Sequence, residues 1–224
     1  MNWFVYLLFG GVVGLDATSF PQAMLSRPLV AATLAGLLLG NAEAGLYAGL
    51  VLELFSLVIL PFGAARYPET GTAAAAAGGA LALSGTASHG LAALLLAVVF
   101  GLAWEQVTGL TVVAARRVNE RLVAGSDTES VLDIDQLERR HLLAIWIDFF
   151  RGAVIVSAGT VLGGLLLHAL APLIGLQQLL IAGALLTGGC AMLGATLPIF
   201  GNVRDNGIPL ALGLVCGLLL ILLR

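Results

Sequence analysis

The sequence predicts an all-α integral membrane protein: a multi-span helical bundle with short re-entrant or broken helices and one amphipathic helix at the membrane interface. Three observations predict it. Of the 224 residues, 59% are hydrophobic and only 10% are charged, against about a quarter charged in ordinary soluble domains. A soluble domain of this size could not cover its surface with so little charge, so the bilayer is the natural solvent. The apolar runs have uneven lengths, several of them too short to cross a membrane. Carboxylates lie inside some of these runs, where a lone charge is costly.

The elements follow in chain order. Residues 3–15 are apolar up to Asp16. The stretch has no basic n-region and no A-x-A cleavage pattern, so it reads as a retained first membrane segment. Residues 28–39 form an apolar run of a dozen, short of the roughly 20 that a span requires. Residues 44–62 are long enough to span, with Glu53 inside. Residues 71–87 are rich in Gly, Ala, Ser and Thr and again short. Small residues there fit close helix packing and equally a substrate site built from broken segments. Residues 90–115 can span but carry Glu105 and Gln106; Glu105 reads as structural. Residues 152–197 hold no charge and break near Pro172, and 207–223 make a last apolar stretch. Short segments of this kind are tolerated at membrane depth only where protein or a watery cavity surrounds them.

Residues 116–151 differ in composition and hold most of the charge. Val131, Ile134, Leu137, Leu142 and Ile145 recur at roughly helical spacing, which predicts an amphipathic helix lying on the membrane and leading into the next span. Arg116, Arg117, Arg121, Arg139, Arg140 and Arg151 gather here, so by the positive-inside rule this segment is cytoplasmic. The chain therefore divides into an N-terminal membrane half (1–115), a charged cytoplasmic segment (116–151) and a C-terminal membrane half (152–224), all within one integral membrane domain.

The candidate functional residues are the carboxylates. Glu53 is the strongest, since both its flanks are apolar; the alternative is a structural pairing with Arg27 or Arg66. Asp16 stands among Thr18, Ser19 and Gln22 and could instead cap a helix start. Glu69 follows Pro68 and could be a solvated loop acid. A neutral ligand rich in hydroxyls would suit such acceptors, with Gln, Ser and backbone groups completing the set. Cations or protons would suit carboxylates equally well, so the residues alone do not select a sugar.

Other chemistries find no support. The three histidines are scattered without ligand spacing, and Cys190 and Cys216 read as small core residues, so no metal or cofactor is expected. There is no G-x-x-x-x-G-K-[ST], G-x-S-x-G or H-E-x-x-H motif and no nucleophile–base pair. The basic segment is mixed with acids and lacks interleaved aromatics, which argues against nucleic acid.

The same residues carry a resemblance. DATSFPQAMLSRPLV (16–30), GLLLGN (36–41), GLYAGLVLEL (45–54), PFGAA (61–65) and Pro68-Glu69 resemble, in order and spacing, the IIC membrane subunit of the mannose/sorbose class of bacterial phosphotransferase systems. The specific motifs cover the first third of the chain; hydropathy and the charged central segment extend the likeness over most of it. The resemblance implies a non-catalytic sugar permease subunit in the bacterial inner membrane. It implies a IID membrane partner, soluble IIA and IIB subunits that carry the phosphoryl group, and a trimer of heterodimers working as an elevator. It places Asp16, Gln22, Glu53 and Glu69 in the sugar site, with Gly63 letting backbone approach the ligand. The chain departs from the usual pattern at Asn41 and Glu69, where Asp is usual, and at Arg66. Alternatives are a degenerate or regulatory subunit that no longer transports, and an ion- or proton-coupled transporter using Glu53.

Overall fold

The structure is a computed structural model, described here for residues 2–57, 59, 68–85, 90–124, 134–175 and 177–196 and for a few positions between 207 and 215. Gly63, Arg66, His89 and Cys216 lie outside the described residues. The described chain is helical: α1 (Trp3–Thr18), α2 (Pro28–Leu38), α3 (Ala42–Ser56), α4 (Thr70–Leu83), α5 (Gly90–Ala124), α6 (Ile134–Leu170), a 3-10 turn (Ala171–Leu173) and α7 (Gln178–Thr196).

Local chemistry sets these boundaries. Asn2 caps α1 by accepting the Phe4 N–H at 3.2 Å. Pro28 opens α2 at a position whose N–H would have no helical partner. The chain then reverses through Gly40, whose φ of +86° is cheap only for glycine, and Asn41 caps α3 by accepting the Ala44 N–H at 3.0 Å. In the run from 44 to 62 that the sequence marks as a span, α3 ends at Ser56, and residues 58 and 60–62 lie outside the described residues. A turn from Ser56 O to Ile59 N follows.

Two classes of helix result. Among the described residues, three are long and apolar enough to cross a bilayer: residues Gly90–Leu122, Asp135–Leu173 and Gln178–Thr196. Helices α1 to α4 have 16, 11, 15 and 14 residues, roughly 17–24 Å each at 1.5 Å per residue, against a hydrocarbon core of about 30 Å. The long helix α6 runs without break from Ile134 to Leu170, so the charged segment that leads into the span is continuous with it. Arg140 Nη1 donates to Leu122 O at 3.1 Å and ties α6 to α5 above the bundle.

The core is α4. Every residue from Gly71 to Ala80 is buried, because α4 touches α1, α2, α3, α5 and α6. Only Gly, Ala and Thr occupy this stretch, and backbones can approach closely around it. Packing is thus one of the two roles the sequence allowed for this segment, and the structure shows it. Helix α1 crosses α6 at an equally tight point: a Cβ on Gly14 would come within 2.5 Å of Gly152 Cα, and one on Gly152 within 2.6 Å of Gly10 O. Helices α2 and α3 form an antiparallel hairpin, and α5 and α6 form a second, longer one.

A buried polar layer at the middle of the long hairpin

The ends of the short helices meet at one level. The C-terminus of α1, the loop 19–27, the N-terminus of α2, the C-terminus of α3 and the N-terminus of α4 converge there. This level falls at Glu105–Thr111 of α5 and Asp148–Arg151 of α6, near the middle of both long helices. Four broken segments therefore bring polar groups to the middle of two unbroken ones, a recurring way to build a substrate site at membrane depth.

Asp16 is 2% exposed. Its two carboxylate oxygens accept the N–H groups of Ala23 and Ser26, the latter at 2.7 Å. It thus organises the loop into α2, close to the capping role that was the alternative for it. Glu53 accepts the Leu29 N–H at 3.2 Å, in the first turn of α2, and pairs with Arg27. The Arg27–Glu53 pairing is the structural alternative that the sequence left open, and it is formed. It leaves half of Arg27 open, with 51% of its side chain exposed against 16% for Glu53. Gln22 is exposed in the loop, with φ of +57°.

Glu69 is buried, not a solvated loop acid. It caps α4 through Thr72 N and Thr72 Oγ1, and its own backbone binds α5: its N–H donates to Glu105 O at 3.1 Å, and its carbonyl accepts from Thr108 Oγ1 at 2.8 Å.

Two functional-layer residues escaped the sequence reading. Arg151 is only 8% exposed and donates to Glu69 Oε2 (3.4 Å), Asp148 Oδ1 (3.3 Å), Thr111 Oγ1 (3.3 Å), Thr18 Oγ1 (3.4 Å) and Gly14 O (3.4 Å). In the sequence it reads only as one of the arginines marking the cytoplasmic side. Asp148 also accepts from Thr18 Oγ1 at 3.2 Å and from Ser19 Oγ. The available signal was their i, i+3 spacing where the apolar part of α6 begins, the spacing of a helical ion pair.

Among the described residues the layer thus holds five acidic residues, Asp16, Glu53, Glu69, Glu105 and Asp148, and two arginines, Arg27 and Arg151. The positive ends of α2 and α4 are already answered by Asp16, Glu53 and Glu69 from the chain itself. A layer arranged this way offers hydrogen-bond acceptors and one half-open guanidinium. It suits a neutral ligand that donates hydroxyls better than an anion.

Comparison with known proteins agrees with this architecture. One solved structure, described as the structure of a membrane protein, superposes with a TM-score of 0.69 at 16% identity, covering 98% of this chain and 93% of that one. At that identity it speaks for the fold. No curated protein matches the chain at a significant level. The family model described as the sorbose-specific IIC component of the PTS system matches residues 1–203. The chain therefore belongs to the sorbose-specific IIC family of membrane subunits of the sugar phosphotransferase system.

Proposed function

We propose that the chain is the sugar-translocating IIC subunit of a mannose/sorbose-type, phosphoenolpyruvate-dependent phosphotransferase system. It works as a multi-pass protein of the bacterial inner membrane, beside a IID membrane subunit in a trimer of heterodimers. Soluble IIA and IIB subunits carry the phosphoryl group, and this chain moves the sugar to where IIB phosphorylates it. The observation that carries the reading is the polar layer, where four short-helix ends meet at the middle of the α5–α6 hairpin.

Within the layer the proposed sugar contacts are Glu53 and Gln22, with Asp16 and Glu69 behind them; Gly63, proposed for the same site, lies outside the described residues. Asp16 and Glu69 are nearly enclosed, at 2% and 3% exposure, and their oxygens are engaged by Ala23, Ser26, Thr72 and Arg151. They act by shaping the loop and the α4 terminus. Glu53 and the open half of Arg27 supply a paired acceptor and donor.

The test is uptake of labelled hexoses and N-acetylhexosamines into vesicles holding this chain with the neighbouring IID, IIA and IIB candidates. Phosphoenolpyruvate-dependent uptake with phosphorylation of the sugar is expected. Verified assembly without uptake would shift the reading to a regulatory subunit. Uptake that needs a proton gradient and no phosphoenolpyruvate would shift it to a coupled transporter.

A further inference from the structure

A second polar site lies at the far end of the α2–α3 hairpin. A cavity of about 330 Å³ opens between the α2–α3 turn, the end of α4 and the start of α5. One wall carries Asn41, Glu43 and Tyr47; the other carries Leu81, Leu91 and Leu94. Tyr47 Oη donates to Glu43 Oε1 at 2.8 Å across one turn of α3, and Tyr47 remains 43% exposed. Asn41 uses its side-chain carbonyl to cap α3, so its NH₂ group is the part left to donate to a ligand. Glu43 is the one charged residue in the lining among the described residues.

We propose that this cavity is an outer recognition site for a neutral saccharide, through which sugar is first bound before it reaches the polar layer. The inference rests on the reading of the chain as a sugar permease. A pyranose has a hydroxyl edge and an aliphatic face, and the two walls match them. The Glu43 carboxylate and the Tyr47 hydroxyl oxygen, whose proton goes to Glu43, accept hydrogen bonds along the edge, and the Asn41 NH₂ group donates one. The leucines face the ring C–H groups, while the Tyr47 ring adds rigid surface at low entropic cost. The volume sits at the small end of ligand pockets, about 300–1,000 Å³, which suits one sugar ring. A phosphorylated sugar would bring its negative charge against Glu43 and is disfavoured. Along α3, ten residues separate Glu43 from Glu53, roughly 15 Å at 1.5 Å per residue, so one helix carries both sites. A tyrosine near a helix end also serves as a membrane-interface anchor, but an anchor needs neither a carboxylate partner nor a cavity.

The experiment uses the complete complex in vesicles, with labelled mannose, sorbose and N-acetylglucosamine as probes, and four variants: Tyr47→Ala, Tyr47→Phe, Glu43→Gln and, as an aromatic removed elsewhere, Phe4→Ala. Glu43 and Tyr47 are exposed, so their substitution leaves folding intact. Tyr47→Ala and Glu43→Gln are expected to raise the uptake KM about tenfold, the loss of one good hydrogen bond or ring contact, and Tyr47→Phe by less; Phe4→Ala leaves KM in place. If wild-type uptake is normal and neither Tyr47→Ala nor Glu43→Gln moves KM, the outer site is refuted and the permease reading stands. If the wild type shows no uptake, saturation-transfer NMR of the same sugars with the purified complex decides. Signal that Tyr47→Ala abolishes supports the site without transport; no signal, or signal unchanged in the variant, overturns it.

Discussion

Removing Arg151 tests the layer most directly. Its guanidinium touches α1, α4, α5 and its own helix, and it is the only cation within reach of both Glu69 and Asp148 among the described residues. The side chains of all three are less than a tenth exposed, so solvent cannot replace the lost partner. Breaking a buried pair by deleting one member costs about 3–5 kcal/mol. For a chain of this size each kcal/mol moves Tm by roughly 2–4 °C. Arg151→Met in the detergent-solubilised complex is therefore expected to lower Tm by roughly 6–20 °C, read by the loss of monodisperse protein after heating. The cause is stranded charge, so Arg151→Met combined with Glu69→Gln and Asp148→Asn should recover most of that loss. A single variant within about 3 °C of wild type would mean that Arg151 does not hold the layer. A triple variant no better than the single one would mean that packing, not charge, is what the arginine supplies.

Three further outcomes follow from the same geometry. Glu53→Gln keeps the shape but removes the charge opposite Arg27, and phosphoenolpyruvate-dependent uptake should fall at least about tenfold; undiminished uptake would take Glu53 out of the sugar site. Tyr6→Phe removes a buried hydroxyl bonded to Thr160 Oγ1 at 2.7 Å between α1 and α6 and should cost about 1–2 kcal/mol in thermal stability. Gly152→Leu puts a side chain where Gly14 Cα stands within 2.7 Å of a Cβ; separation of α1 from α6 should show as loss of assembled complex in size-exclusion chromatography.

Much of this was legible in the residues. The membrane class followed from charge content. The short segments 28–39 and 71–87 emerged as α2 and α4, because run length and small-residue composition are local properties. The layer was legible in part. Asp16, Glu53 and Glu69 stood out as acids amid apolar sequence, and they do converge. Their partners were harder to read. Arg151 is 82 residues from Glu69 and 137 from Gly14, and only the folded crossing of α6 with α1 and α4 brings them together. Its position within a run of arginines hid a buried residue among exposed ones. The extent of α5 and α6 was also hidden, since the charged sequence between 116 and 151 reads as a separate interfacial element while residues 116–124 belong to α5 and 134–151 to α6.

The long hairpin has a mechanical consequence. Beyond the polar layer, α5 continues from Thr111 past Leu122, where Arg140 ties it to α6. That arm is roughly 16 Å long at 1.5 Å per residue. Two uninterrupted helices bolted at both points bend little, so the hairpin behaves as a lever pivoting where the buried charges sit. A tilt of about 10° at the pivot sweeps the arginine-bearing tip through about 3 Å. Whatever shifts the packing at the polar layer is thereby displayed, as displacement, at the arginine-bearing end of the hairpin.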